Sequence, residues 1–254
     1  MGGTACACTD CRYNRFDCVV DYSKGCMSVN YDCADACSLW RGIAECRFRT
    51  PVPSFCSDTY FYAPSDPTVK NWLIQPTALN YIGLEDLPSS SANPALDTLW
   101  RQGWGDATAG VDKRPIIKSA DLALVINSVQ ARTKHSLHIH LGTATAPLKA
   151  CVVALPKAAA VDTWLKAPAP CKGLSSTPAA LTDVYYTLVT AARRDRVNAF
   201  LLDGLKFSKL FVDKDTNVGF ALVGAPTSAG AGSDDNYLII YDGRNVNDKQ
   251  LLVQ

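Results

Sequence analysis

Short runs of apolar residues recur along the chain after residue 58 and predict β-strands. The clearest is the continuous run Leu-Ala-Leu-Val-Ile-Asn at residues 122–127, which indicates a buried strand. Residues 136–141 predict a second strand, in which polar and apolar positions alternate. Further strands are predicted at residues 59–62, 72–75, 218–223 and 237–241. The last two flank a loop rich in glycine, alanine and serine, so antiparallel pairing is their simplest arrangement.

Helices are predicted between these strands. Asn93 and Pro94 supply a cap and a first-turn proline for a helix that we expect to run to Trp104. A second helix is predicted at residues 177–194, where a Thr-Pro pair stands at the start, and a third at residues 198–205. Helices together with antiparallel strands indicate the α+β class, with an antiparallel sheet and flanking helices.

The composition is that of a folded domain. Of the 254 residues, 48% are hydrophobic and 19% are charged, which argues against disorder and leaves room for one substantial core and a small appendage. The formal net charge is +1, so a broad basic face and non-specific binding of nucleic acid are disfavoured.

Cysteine usage divides the chain. Nine of the 11 cysteines fall within the first 56 residues, and seven of them within residues 1–38, where aliphatic residues are few. We therefore predict a small disulfide-stapled module at residues 1–38 and a larger domain at residues 39–254. The C-x-x-C pair Cys8 and Cys11 keeps a zinc site open as an alternative, but nine thiols exceed one zinc site. Cys151 and Cys171 are expected to form a bridge across the segment between them.

Disulfides indicate an extracytoplasmic compartment, whether secreted, periplasmic or lumenal. The first residues, Met-Gly-Gly-Thr-Ala-Cys, contain neither the basic nor the apolar region of a signal peptide. No run of apolar residues is long enough to span a membrane. We therefore expect the true start of the chain, with a signal or an anchor, to differ from the one in this sequence.

All three histidines of the chain lie within six residues, at positions 135, 138 and 140. In a strand, Ser136, His138 and His140 would share one face, and the apolar residues between them would face the core. His135 has the opposite parity and stands at the entrance of the strand.

Three interpretations of this pair of imidazoles are open. The histidines could be incidental in a half-buried strand, or they could form an H-x-H metal site, for which no carboxylate lies nearby in sequence. The third interpretation is a nucleophilic histidine with a neighbour that handles a proton or a leaving group. The absence of histidine elsewhere in the chain disfavours the first two interpretations. The third is favoured by a resemblance to a known family.

The histidine strand resembles the active-site motif of the histidine triad superfamily, His-x-His-x-His with apolar residues between. The similarity extends to the CDP-diacylglycerol pyrophosphatase branch, in which a strand ending in Asn leads through a polar Arg-Thr loop to the histidine strand. Here that stretch reads LVINSVQARTKHSLHIHL at residues 124–141. Further matches occur in the same order along the chain, at Leu39-Trp40, Cys46, Cys56, WLIQPT (residues 72–77), NYIGLE (80–85), Thr163-Trp-Leu, GFALV (219–223) and DNYLII (235–240). One position departs from the motif, since Ser136 stands where the family has its first histidine.

The resemblance implies a histidine-triad-like fold and hydrolysis of the pyrophosphate bond of CDP-diacylglycerol to CMP and phosphatidate. His138 would be the nucleophile and would form a nucleotidyl-histidine intermediate, and His140 would donate to a phosphoryl oxygen. The substrate-binding residues would be Asn127, Thr133, Lys134, His135 and Ser136. Lys134, like Arg132, is equally well explained as a solvated loop cation. The family chemistry requires no metal and no cofactor.

The expected partners follow from this chemistry. A CDP-activated phospholipid as substrate implies peripheral contact with a membrane, and dimerisation is implied by analogy with the superfamily. Two alternatives remain: a triad hydrolase or transferase that acts on another nucleotide diphosphate, and a secreted, non-catalytic binding protein on a degenerate triad scaffold.

Overall fold

A computed structural model describes most of the chain beyond residue 93 and shorter segments before it. The described residues are 39, 46, 50–52, 56–57, 60–63, 71–76, 94–110, 114–128, 137–156, 163–169, 171, 184–208, 218–225, 235–242 and 248–253. The predicted cysteine-rich module at residues 1–38 lies outside the described residues, so its separation from the larger domain stays a prediction.

One antiparallel sheet of eight strands organises the fold, in the order β1-β2-β4-β3-β7-β8-β6-β5. The strands are β1 (Tyr60–Ala63), β2 (Asn71–Pro76), β3 (Leu122–Ile126), β4 (Ile139–Thr143), β5 (Leu165–Lys166), β6 (Tyr185–Val189), β7 (Val218–Gly224) and β8 (Asn236–Asp242). The α-helices are α1 (Pro94–Ala109), α2 (Ala146–Ala154), α3 (Val197–Ser208) and α4 (Asp248–Leu251), and Ser119–Asp121 and Ala191–Arg196 form 3-10 turns. The α+β class with an antiparallel sheet and flanking helices is confirmed.

Apolar side chains cover both faces of this sheet. On one face, which we call the α1 face, α1 packs against β2, β3 and β4, and α3 packs against β6 and β8. On the opposite face, α2 contributes Leu148, Cys151 and Val152 to a second cluster, which also includes Ala123 and Val125 of β3. Because both faces of β3 are buried, its run of apolar residues is continuous rather than alternating.

Most of the predicted elements are present with shifted ends. The helix predicted at residues 93–104 runs on to Ala109 and ends at Gly110, whose φ of 79° suits glycine. The strand predicted at residues 136–141 begins only at Ile139 and continues to Thr143. The antiparallel pairing of the last two strands is confirmed, with Val218 opposite Asp242 and Gly224 opposite Asn236.

The helix predicted at residues 177–194 is wrong where the structure describes it. Tyr185–Val189 is strand β6, paired with β5 on one side and β8 on the other, and a 3-10 turn follows. This segment is rich in aromatic and β-branched residues, which favour a pleated surface, and pairing with β8 buries them. The Thr-Pro signal on which the helix was based lies outside the described residues.

Two disulfides are present among the described cysteines. Cys151 bonds to Cys171, as predicted, with an S–S distance of 2.05 Å, and Cys46 bonds to Cys56. The first joins α2 to a residue beyond β5 within the second apolar cluster. Both bonds are compatible with an extracytoplasmic location. No helix in the described part of the chain is long and apolar enough to cross a membrane.

Candidate active site

The two histidines of β4 lie on the sheet face opposite α1. Leu137, Ile139 and Leu141 all belong to the apolar cluster beneath α1, as their parity predicted. His138 and His140 alternate with them and therefore point to the other face, which we call the histidine face. His138 is 5% exposed and His140 is partly buried, so both imidazoles are shielded from bulk water.

The strands on either side of β4 decide which residues surround the histidines. In the pairing register, His140 stands between Leu73 of β2 and Val125 of β3. If this register is continued by one residue, His138 stands between Gln75 and Asn127. Both amide residues are buried, with exposed fractions of 0% and 8%.

The polar atoms of His138, His140 and Asn127 meet. The Nε2 atoms of the two histidines are 3.0 Å apart, and their rings are in an edge-to-face arrangement with centroids at 4.7 Å. Nδ2 of Asn127 lies 3.2 Å from Nε2 of His140. An imidazole nitrogen carries either one proton or one lone pair, so a single proton lies in the contact between the two histidines.

Burial lowers the pKa of His140 from its ordinary value of 6.5 to about 3. Its Nδ1 atom is buried although the residue as a whole is partly exposed, and a charged imidazole would lose hydration there. His140 is therefore neutral throughout the range from pH 5 to pH 8 in which unperturbed histidines titrate. Its Nε2 can serve as a neutral donor or acceptor.

A second buried group with a displaced pKa lies on α1. Asp97 is 7% exposed and accepts a hydrogen bond of 2.6 Å from the backbone N–H of Asn198 in α3. Burial raises the pKa of this carboxyl from 3.8 to about 6, and the nearby Asp195 acts in the same direction. The hydrogen bond from Asn198 and the charge of Arg196 oppose this increase.

These two groups should act on stability with opposite signs. In the unfolded chain His140 binds a proton below about pH 6.5, but in the folded protein it does so only below about pH 3. This histidine therefore lowers the free energy of unfolding as the pH falls. Asp97 binds its proton in the folded state below about pH 6 but in the unfolded state only below 3.8, so it raises stability over that interval. We expect the two contributions to offset each other between about pH 6 and pH 4.

Asp97→Asn should remove the opposing contribution and keep an oxygen for the Asn198 N–H. The variant should lose stability on acidification more steeply than the parent, with an extra slope of up to about 1.4 kcal/mol per pH unit. Urea unfolding at a series of pH values between 4 and 6.5 measures this slope, and His140→Gln should change it in the other direction. Equal slopes in Asp97→Asn and the parent would contradict this assignment.

The structure brings together three of the predicted site residues: Asn127, His138 and His140. The others, Thr133, Lys134, His135 and Ser136, lie outside the described residues. Sequence reasoning missed Gln75 as a neighbour of His138. The sequence does contain one indication. Gln75 is a polar residue in an apolar run, and strand alternation places it on the face opposite Trp72 and Ile74, which pack beneath α1.

A glycine and a tyrosine bound the site on the histidine face, on the side of Asn127 away from His138. In the continued register Asn127 stands next to Gly219, which is paired with Tyr241 of β8. A Cβ atom on Gly219 would lie 2.4 Å from ring atoms of Tyr241, so the ring occupies the space above this glycine. Tyr241 is fully buried and forms the wall of the site beyond Asn127.

Among the described residues, no group of three His, Cys, Asp or Glu side chains could hold a metal ion. The polar groups nearest to His138 are the imidazole of His140 and the carboxamides of Gln75 and Asn127. Comparison of the chain with models of protein families and with curated proteins gives no match.

Proposed function

We propose that this protein hydrolyses the pyrophosphate bond of CDP-diacylglycerol and releases CMP and phosphatidate. The observation that carries the proposal is the pair of buried imidazoles, His138 and His140, with their Nε2 atoms 3.0 Å apart. This is an arrangement in which one imidazole attacks phosphorus while its neighbour supplies a hydrogen bond. It supports the role that the resemblance to the histidine triad superfamily implies for each histidine.

The first step is attack by His138 on the phosphorus that carries the cytidine. The lone pair of Nε2 forms an N–P bond, and the bond from phosphorus to the bridging oxygen breaks. The bridging oxygen leaves on phosphatidate with the electron pair. For this attack Nε2 of His138 must be unprotonated, so the proton between the imidazoles must reside on Nε2 of His140. That N–H must then turn from the lone pair of His138 to a phosphoryl oxygen as the substrate binds.

The second step releases the nucleotide. Water attacks the phosphorus of the cytidylyl-histidine, the N–P bond breaks, and its electron pair returns to His138. One proton of the water goes to solvent, and CMP leaves. The two displacements divide one difficult hydrolysis into two easier ones, which is the general advantage of covalent catalysis.

The neighbours of the histidine pair would stabilise charge on the phosphoryl oxygens. His140 is neutral, so its Nε2–H would donate to a phosphoryl oxygen as an uncharged group. Nδ2 of Asn127 lies 3.2 Å from that nitrogen and is placed to turn its own N–H toward the phosphoryl group. Fixed donors aimed at oxygens that gain charge lower the barrier. Thr133, Lys134, His135 and Ser136 keep the substrate-binding roles that the resemblance implies.

We also propose that this activity is extracytoplasmic and takes place at a membrane surface. The two disulfides suit an oxidising compartment, and a diacylglycerol substrate resides in a bilayer. The chain would then contact the membrane peripherally through residues around the site.

A substrate panel tests the proposed function. Purified protein is incubated with CDP-diacylglycerol in mixed micelles, with water-soluble dinucleotides and with CDP-choline, and the nucleotide products are separated. We expect CMP and phosphatidate in equal amounts from the lipid substrate and at least about tenfold slower turnover of the soluble compounds, because remote binding energy contributes to the rate. Faster turnover of a soluble dinucleotide would show a different triad hydrolase. No turnover of any compound would favour a binding protein.

A further inference from the structure

A row of buried residues, all polar except one glycine, crosses the sheet on the histidine face. It consists of the residues that the register places side by side on neighbouring strands: Gln75, His138, Asn127, Gly219 and Tyr241. The next row contains Leu73, His140, Val125, Ala221 and Ile239, and is apolar except for His140. In these two rows, the polar side chains of Gln75, Asn127 and His140 lie next to His138.

Gln75 has a defined place in this row. It lies on β2, pairs with Phe61 of β1, and stands across from His138 when the β2–β4 register is continued from Ile74 and Ile139. Side chains directly opposite each other in an antiparallel pair have Cβ atoms about 4.5–5.5 Å apart. This spacing puts the amide of Gln75 within reach of the imidazole of His138, on the side away from Asn127.

Burial makes this position chemically significant. Gln75 is fully buried, and its Oε1 atom is inaccessible to solvent. A carboxamide is costly to bury in an apolar sheet. Leu73, two residues earlier on the same face of β2, shows that this strand accommodates an aliphatic side chain on that face. An amide at this point serves hydrogen bonding rather than packing.

We propose that Gln75 is a second phosphoryl-binding residue, which acts with Asn127 from the opposite side of His138. Two strand spacings, about 10 Å, separate the backbones of the two residues. A phosphoryl group over His138 then lies between the two side chains. Each amide N–H₂ donates to a different non-bridging oxygen, and the wall formed by Tyr241 closes the row beyond Asn127.

The two amides also allow the site to bind an anion although His140 carries no positive charge. The charge that develops on the phosphoryl oxygens is met by fixed dipoles on both sides, which need no reorganisation during the reaction. The proposal rests on the function proposed above, since it assigns Gln75 to the same phosphoryl group that His138 attacks.

The test uses two substitutions at Gln75 with a matched control. Gln75→Leu removes the amide at similar size, and Gln75→Glu keeps the shape but adds a negative charge. Thr187→Val is the control, because Thr187 is a buried polar residue of the same sheet, on β6 and with the parity of the α1 face. Each variant is assayed for kcat and KM of CMP release and for the dissociation constant of CMP by calorimetry. Thermal unfolding identifies variants that do not fold.

We expect Gln75→Leu to lower kcat/KM by about 100-fold, mostly through kcat, as for loss of one donor to a developing oxyanion. Gln75→Glu should also weaken CMP binding at least tenfold, because a carboxylate repels the phosphate. Gln75→Asn should restore part of the activity, and Thr187→Val should stay within about twofold of the parent.

The outcomes separate this proposal from the proposed function. If Gln75→Leu, Gln75→Glu and Gln75→Asn all stay within threefold of the parent while His138→Ala is inactive, Gln75 has no such role and the function stands. If the parent protein releases no CMP from CDP-diacylglycerol, the proposed function is wrong, whereas retained CMP release in His138→Ala would contradict only the assignment of the nucleophile. Should Gln75→Leu fail to fold, unchanged CMP affinity in folded Gln75→Glu would overturn the proposal for Gln75.

Discussion

His138→Ala should abolish release of CMP from CDP-diacylglycerol, with a fall in kcat of at least about 10⁴-fold. Alanine removes the nitrogen that would bond to phosphorus, and His140 is assigned to hydrogen bonding rather than to attack. The KM should change much less than kcat, because the amide donors around the phosphoryl group remain. Steady-state measurement of CMP formation by the purified variant gives this result directly.

The control for this substitution is His135→Ala, the remaining histidine of the chain. It should have a milder effect, because His135 has the opposite strand parity and is assigned to substrate binding. Far-UV circular dichroism and thermal unfolding should show that both variants remain folded. An equal loss of activity in the two variants would contradict the assignment of His138 as the nucleophile.

Gly224→Ala should lower the free energy of unfolding by at least about 3 kcal/mol, a large effect for the addition of one methyl group. A Cβ atom at the end of β7 would lie 1.8 Å from the carbonyl oxygen of Ser119 and 2.8 Å from its carbonyl carbon. These are backbone atoms of the 3-10 turn that leads into β3, so no side-chain rotation can relieve the overlap. The turn or the strand would have to move.

Gly105→Ala is the matched control for this prediction. Gly105 is an exposed residue within α1, and a Cβ atom there would meet nothing within 4 Å. Alanine should therefore stabilise the protein by about 0.5–1 kcal/mol, since it lowers the entropy cost of forming the helix. Urea unfolding of both variants measures the two effects. Equal stabilities of Gly224→Ala and the parent would show that β7 and the turn are not packed as described.

Much of the sheet was predictable because its strands are short apolar runs that polar or turn-forming residues delimit. The buried run of β3 and the two late strands β7 and β8 were located within one or two residues of their ends. Strand β6 was not, because a proline-based helix signal outweighed the β-branched and aromatic composition of Tyr185–Val189. Its pairing with β8 is a tertiary effect that local propensity does not contain.

The site was predictable only in part, for a similar reason. Strand alternation correctly placed His138 and His140 on the face opposite Leu137 and Ile139, since that is a property of neighbouring residues. Gln75 could not be assigned to the site, because its approach to His138 depends on the pairing of β2 with β4, which are separated in sequence by α1 and β3. The burial of His140 is likewise a property of packing and not of sequence spacing.

The disulfides show the same division. The bond between Cys151 and Cys171 was predicted because no other cysteine follows residue 56. The partner of Cys46 does not follow from the sequence, since nine cysteines in a short stretch allow many pairings and spacing alone does not choose among them.

Trapping the covalent intermediate tests the central claim most directly. CDP-diacylglycerol labelled in the phosphate next to cytidine is mixed with the protein and quenched in alkali within milliseconds, because phosphorus–nitrogen bonds on histidine survive alkali better than acid. Peptide mass spectrometry then locates the label. We predict a cytidylyl group on His138, which is absent from His138→Ala and disappears from the parent as CMP accumulates. CMP release by the parent with no label on the protein, or with the label on His140, would contradict nucleophilic attack by His138.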